Sequence, residues 1–298
     1  MTDLVAAGPR ARVETSDEPS VAAVTIRRFL RHKAAVGGLI VFAALLLFAL
    51  LGGLFWHAGL GSDYEQFLSP SATHPFGTDD LGHDMLALVI RGTQFSLLIA
   101  IVVAIVSTVL GVVLGAVAGY YGGWVDNIVD RTLELLLILP SVVVVGVMAV
   151  KFSGSWVMVA TFLGLTGWMQ LARVIRGMVF SLREKEFVQS AKAMGASDIR
   201  ILVQHILPNT IDVIIVNATL TIATAVLLEA ALSFIGLGVK PPDTSLGLLI
   251  NQTQGFLPTP NAVLFWIPLV FIVALSLSVN FIGDGLRDAL DPKQDRIR

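Results

Sequence analysis

Long apolar runs separated by short charged clusters dominate the chain. The first run, Ala34–Trp56, holds 23 residues without a charge, enough for a helix to cross the roughly 30 Å hydrocarbon core of a bilayer. A second span fits between about Phe95 and Tyr121, where Arg91 and Asp126 are the flanking charges. A third is expected over Leu133–Val150, kinked or re-entrant at Pro140, since proline removes a helical hydrogen bond and crowds the turn before it. Ser155–Leu171, Ile211–Ile235 and Val263–Ile282 bring the expected spans to six, which puts both termini on one side. Residues 1–26 are small, polar and mildly acidic and read as a disordered tail, and no apolar core of a signal peptide lies near the start.

Composition agrees with this pattern. Hydrophobic residues make up 55% and charged residues 14%, against about 25% charged in soluble domains, and the mean hydropathy is +0.80. The fold class is therefore an all-α polytopic membrane protein. The absence of cysteine excludes disulfides, thiolate metal sites and a cysteine nucleophile. The net charge of −2 says less than where the charges sit. Arg27, Arg28, Arg31 and Lys33 precede the first span, Arg173, Arg176, Arg183, Lys185, Lys192 and Arg200 lie between the fourth and fifth, and Arg287, Lys293, Arg296 and Arg298 follow the sixth. The opposite loops carry only Arg91, beside Asp63, Glu65, Asp79, Asp80 and Asp84, then Lys151 and Lys240. The positive-inside rule then makes both termini and the loop 182–209 cytoplasmic. The expected division is 1–33 cytoplasmic tail, 34–93 first helix and external loop, 94–283 core of five helices, and 284–298 cytoplasmic tail.

The loop 182–209 is a charged amphipathic island, too polar to enter lipid, and reads as two short helices. Glu184–Met194 carries an apolar stripe of Phe187, Val188, Ala191 and Met194, and Gly195 stands where a left-handed residue would end the helix. Ser197 can cap a second helix with Ile199, Leu202, Val203 and Ile206 on one face, stopped by Pro208. Three residues separate Ala191 from Gly195, and eleven separate Gly195 from Leu207–Pro208. This spacing resembles the "EAA" loop of permease subunits of binding-protein-dependent ABC importers, with Gln189 in place of Glu, Ser190 in place of the first Ala and His205 in place of Ile. The segments 27–42, 74–97 and 228–247 are similar to the C-type permease of dipeptide, oligopeptide and nickel importers.

The resemblance implies the type I ABC importer permease fold with six transmembrane helices. It implies a bacterial inner-membrane chain that binds no cofactor and forms half of the pathway. Its partners would be a homologous second permease, two ATPases that hold ATP and Mg, an extracytoplasmic substrate-binding protein and membrane lipid, with no nucleic acid. Gln189, Ala191, Lys192, Met194, Gly195, Ala196, Ser197, Asp198, Leu207 and Pro208 are the implied ATPase-coupling residues. The expected cargo is a di- or oligopeptide, with nickel or another small solute as the alternative.

Other features carry less. His74, Asp79, Asp80, His83 and Asp84 include metal-ligand types but read more simply as an external turn-forming loop, and no metal is expected. Gly111, Gly115 and Gly119 form a small-residue stripe that lets helices approach closely, within this chain or against the partner permease. Glu229 is an acid deep in a predicted span: it could line the route, bond to a neighbouring helix or couple protons. A secondary transporter would carry several intramembrane charges and matching interrupted helices, which this sequence does not show. Zinc-protease, nucleophile-elbow and phosphate-loop motifs are also missing, so ATP hydrolysis is expected on other chains rather than here.

Overall fold

A computed structural model of the chain describes residues 21–56, 61, 64–152 and 154–290, which include no strand. The expected tail therefore lies outside the described residues up to residue 20, as do Asp63, Lys293, Arg296 and Arg298. Residues 21–26, expected in that tail, instead belong to α1 (Val21–Arg31). His32 breaks the helix and caps the next one, its Nδ1 accepting the Ala35 N–H at 3.1 Å. The span α2 (Lys33–Phe55) then follows the predicted run closely.

The second span, α3 (Met85–Tyr121), starts ten residues earlier than the charge pattern suggested. Asp84 caps it by accepting the Ala87 N–H at 2.9 Å. Arg91 does not end the helix, because its guanidinium lies 4.5 Å over the Phe95 ring and bonds Gln94, leaving the charge at the surface. The expected kink is present: α4 (Gly123–Ile138) and α5 (Ser141–Lys151) meet at Leu139–Pro140 with a bend of 74°. The fourth span is longer than expected, since α6 (Trp156–Gly167) continues through Trp168 into α7 (Met169–Leu182).

Two short helices follow, α8 (Glu186–Ala193) and α9 (Asp198–Ile201). Pro208 does not stop the chain here. A π turn (Leu202–Ile206) and a 3-10 turn (Leu207–Thr210) carry α9 directly into α10 (Ile211–Phe234), making one path of 37 residues. The wide turn places the Leu207 N–H on the Leu202 carbonyl, so the ring of Pro208 is accommodated without a break. Asn209 and Thr210 side chains donate to the carbonyls of His205 and Leu207. A short buried helix that the hydropathy pattern did not suggest, α11 (Leu246–Thr253), precedes α12 (Val263–Leu290). That last helix runs eight residues past its expected end, into the segment read as tail.

Among the described residues five helical paths are long and apolar enough to span, or six if α4–α5 counts as one. Helix α3 is the hub, touching α2, α4, α6, α7, α10, α11 and α12. One core joins Met85, Val89 and Val103 of α3 to Leu163, Val226, Leu249 and Leu275. A second joins Ala116 of α3 to Ile175, Val188, Ala191, Ile201 and Ile206 at the end carrying the island. The outward face of α2 keeps Ile40, Leu50, Leu54 and Phe55 exposed, the arrangement lipid requires of a spanning helix.

Candidate translocation cavity and coupling loop

The turn between α8 and α9 is built on Gly195, whose φ is +82°. The Ala196 N–H donates to Ala191 O (3.1 Å) and the Gly195 N–H to Lys192 O (3.0 Å). These two bonds satisfy carbonyls that the end of α8 would otherwise leave open. Val188 and Ala191 are buried against the spans, but Phe187 and Met194 are 44% and 82% exposed, so only half of the expected stripe faces inward. Ser197 occupies the N-cap position of α9 with no side-chain cap bond, contrary to expectation. Ile201, Leu202 and Ile206 are buried, whereas Ile199 (73% exposed) and Val203 (56%) point out. The π turn explains the shift: a face set by five-residue spacing selects Ile201 and Ile206 instead of a straight-helix set.

Several side chains fasten this loop to the bundle. Arg183 Nη1 donates to the carbonyls of Gly119 (3.2 Å) and Tyr120 (3.1 Å), a cation at the end of α3 where the helix dipole favours one. The Tyr120 hydroxyl donates to Asp198 at 2.8 Å, and Gln189 Nε2 donates to Arg183 O at 2.9 Å. Lys192, Met194, Ser197 and Asp198 form the exposed edge between α8 and α9, with Ala196 partly covered, Leu207 half-buried and Pro208 exposed. Nearby, Arg176 bridges α7 to α4: its Nε and Nη2 bond the two carboxylate oxygens of Asp126 and its Nη1 bonds Asp130 at 2.6 Å. The sequence treated Arg176 and Arg183 as topology markers only. Their pairing with α4 and with the end of α3 depends on contacts distant in sequence.

Between the two ends of the bundle lies a cavity of about 560 Å³ walled by α3, α4, α5, α6, α7, α10 and α12. Its polar lining is Ser141, Thr166, Gln170, Asn217, Thr221, Thr224 and Asn280, and no lining residue is ionisable. The Asn217 and Asn280 amide nitrogens donate to the carbonyls of Val213 and Ser276 on their own helices. Thr166, Thr221 and Thr224 hydroxyls do the same to Phe162, Asn217 and Leu220. The two asparagine amide oxygens and the hydroxyl lone pairs remain as acceptors, beside the second hydrogen of each asparagine amide and the side chains of Gln170 and Ser141. Uncharged polar residues inside spans were the available sequence signal, and a search for charge alone passes over them.

Glu229 is fully buried in α10, next to Leu228 of the cavity wall, and is not itself a lining residue. Its carboxylate accepts from Ser233 Oγ at 2.7 Å and Ser96 Oγ at 3.1 Å. Gly111, Gly115 and Gly119 pack within the chain: a Cβ on each would lie 3.0, 2.5 and 2.6 Å from the carbonyl oxygens of Trp168, Ala172 and Arg176 on the fourth span. At the opposite end from the island, His74 bonds Asp84 at 2.7 Å and His83 bonds Asp79 at 2.8 Å, as two separate pairs. Asp79 also accepts the N–H groups of Leu81 and His83, and Asp84 accepts from Trp56 Nε1. Among the described residues no three His, Asp or Glu side chains converge; these ones tie α2, the loop and the start of α3 together.

The chain is similar to known proteins. Residues 111–296 match the family described as the binding-protein-dependent transport system inner membrane component. Residues 20–73 match the N-terminal transmembrane domain of oligopeptide transport permease C. The chain is 41% identical over 282 residues to the oligopeptide transport system permease protein OppC of Mycobacterium tuberculosis, covering 92% of this chain and 96% of that one. It is 38% identical to OppC of Escherichia coli over 273 residues, covering 90% and 89%. Among solved structures it resembles the MetNI methionine ABC transporter in inward-facing conformations, with TM-score 0.53, 22% identity, and coverage of 70% of this chain and 98% of that one. Matched by that family model over most of its length and by these relatives over nearly all of it, the chain belongs to the family of binding-protein-dependent transport system inner membrane components, as a multi-pass permease subunit.

Proposed function

We propose that the chain forms half of the pathway of an ATP-driven importer of di- or oligopeptides, with the island on the cytoplasmic side receiving the ATPase stroke. The observation that carries the peptide reading is the cavity wall: uncharged, and offering Asn217, Asn280 and threonine oxygens as acceptors. A peptide presents amide N–H groups and an ammonium to such acceptors. A nickel ion would call for imidazole or carboxylate ligands, and the lining has neither. The relatives named as oligopeptide permeases support the same choice.

The remaining parts would come from other chains: a second homologous permease to complete the cavity, two ATPases holding ATP and Mg, and an external binding protein. The Lys/Arg distribution supports cytoplasmic termini and a cytoplasmic loop. On this reading Lys192, Met194, Ala196, Ser197 and Asp198 meet the ATPase, while Val188, Ala191, Ile201 and Ile206 transmit its movement into α7 and α10. The test is ATP-dependent uptake by the complete reconstituted transporter, offered labelled tripeptide or radioactive nickel. Peptide uptake that falls when Asn217 is replaced by Leu supports the reading; nickel uptake without peptide uptake overturns it.

A further inference from the structure

We propose that Glu229 and its surrounding serines are a latch that fastens the segment 237–253 across the external end of the cavity. Glu229 is then a positioning residue for transport, not a substrate contact.

The network has one direction. Ser233 Oγ and Ser96 Oγ each donate to a different carboxylate oxygen of Glu229, and Ser245 Oγ donates to Ser233 Oγ at 3.4 Å. Each serine in turn accepts a backbone N–H from the segment: Val239 to Ser233 (3.1 Å), Leu246 to Ser96 (3.2 Å) and Leu248 to Ser245 (3.1 Å). A hydroxyl has one hydrogen and two lone pairs, so these contacts use each serine's single hydrogen. The carboxylate is the common end of all three relays, a group with two acceptor oxygens and no other partner type. All four side chains are at most 1% exposed, where an unmade hydrogen bond is not replaced by water.

The location suits a closure. Thr224, Ala225 and Leu228 of α10 line the cavity, and Glu229 and Ser233 follow toward the end opposite the island. Ser96 lies seven residues before the cavity residue Val103 on α3, about two helical turns. The segment is seated directly on α10, since a Cβ on Gly247 would lie 2.8 Å from Ala230 O. It is tied at its edges by Lys240 N–H to Gly154 O (2.9 Å) and Asn251 Nδ2 to Phe234 O (2.6 Å). An external opening must therefore carry this segment along with α3 and α10 or part the relays that end on Glu229. The two other roles open to a buried acid fit less well: the carboxylate does not line the cavity, and the hydroxyls around it all donate inward.

The test uses the assembled transporter, with a cysteine placed at Thr244, a nine-tenths-buried residue of the segment that faces the external surface pocket. Labelling by a membrane-impermeant maleimide is timed from outside, without ATP or substrate. Glu229→Gln puts an amide donor opposite one serine hydrogen, and Ser96→Ala removes one relay without touching the acid. Both should speed labelling at position 244 by about tenfold or more, and leave unchanged the rate at a cysteine placed at exposed Ser71. The latch rests on the importer reading only for a second readout, the ATP hydrolysed per substrate imported, which should rise about threefold or more per assembled complex as closure weakens. A merely structural loss would lower the amount of complex and leave that ratio alone. Unchanged labelling in assembled Glu229→Gln overturns the proposal, and so does lost uptake with unchanged labelling, which would make the acid a substrate contact. If Glu229→Gln fails to assemble, Ser96→Ala decides by the same two readouts. Faster labelling in a transporter that imports nothing would leave the latch standing and overturn the importer reading instead.

Discussion

Replacing Gly195 isolates the turn between α8 and α9, proposed to couple to the ATPase, from every other feature of the chain. A Cβ added there meets no atom within 4 Å, so crowding contributes nothing and the whole effect comes from φ +82°. A side chain in the left-handed region costs about 1–2 kcal/mol, with alanine near the low end and β-branched valine at or above the high end. Asparagine is tolerated better than either. At 1.4 kcal/mol per factor of ten, about 2 kcal/mol lowers the population of the native turn roughly thirtyfold against rearranged ones. Both flanks stay anchored, by Val188 and Ala191 on one side and Ile201 and Ile206 on the other. The strain must then appear between Lys192 and Asp198, the exposed edge proposed to meet the ATPase. The assay is substrate-stimulated ATP hydrolysis and uptake by the purified complex, with assembly checked separately. Coupling should fall in the order Gly, Asn, Ala, Val while insertion and pairing with the second permease hold. Full coupling in Gly195→Val would refute the assignment of this loop, and Asn as poor as Val would refute the conformational argument even if the loop is correct.

Two further outcomes are expected. Cysteines introduced singly at exposed Ser71 and Ser197, in a chain with none of its own, should label from opposite membrane faces with Ser71 outside; labelling from one face would overturn the orientation. Gly115→Val should lower the thermal unfolding midpoint in detergent, because its Cβ would sit 2.5 Å from Ala172 O and overpacking of this kind costs about 1–3 kcal/mol. Val113→Ala, on the exposed face of the same helix, should leave the midpoint where it was.

The sequence by itself determined the membrane class, the positions of the apolar spans, the kink at Pro140 and the left-handed turn at Gly195. Each follows from local physics: unbroken hydrophobicity, a missing N–H, or a residue without Cβ. Charges misled it at boundaries. Arg91, Arg173 and Arg176 all lie within helices, because a long side chain can reach the surface or a partner while its backbone stays helical. Pro208 misled it too, since the π turn before it and the side chains of Asn209 and Thr210 supply what an ideal helix there would lack.

Only the tertiary structure decided which apolar positions of the island face inward. Ile201 rather than Ile199 is buried because the π turn changes the period, and that turn is not written in a hydrophobic pattern read at one fixed spacing. It likewise decided that the glycine stripe packs on this chain's own fourth span, and that Glu229 ends a serine network reaching 150 residues between Ser96 and Leu246. Such pairings are long-range: a lone acid in a span signals that a partner must exist, since bare charge in hydrocarbon is costly, but only the packing of α3, α10 and the segment before α11 supplies the partner's name.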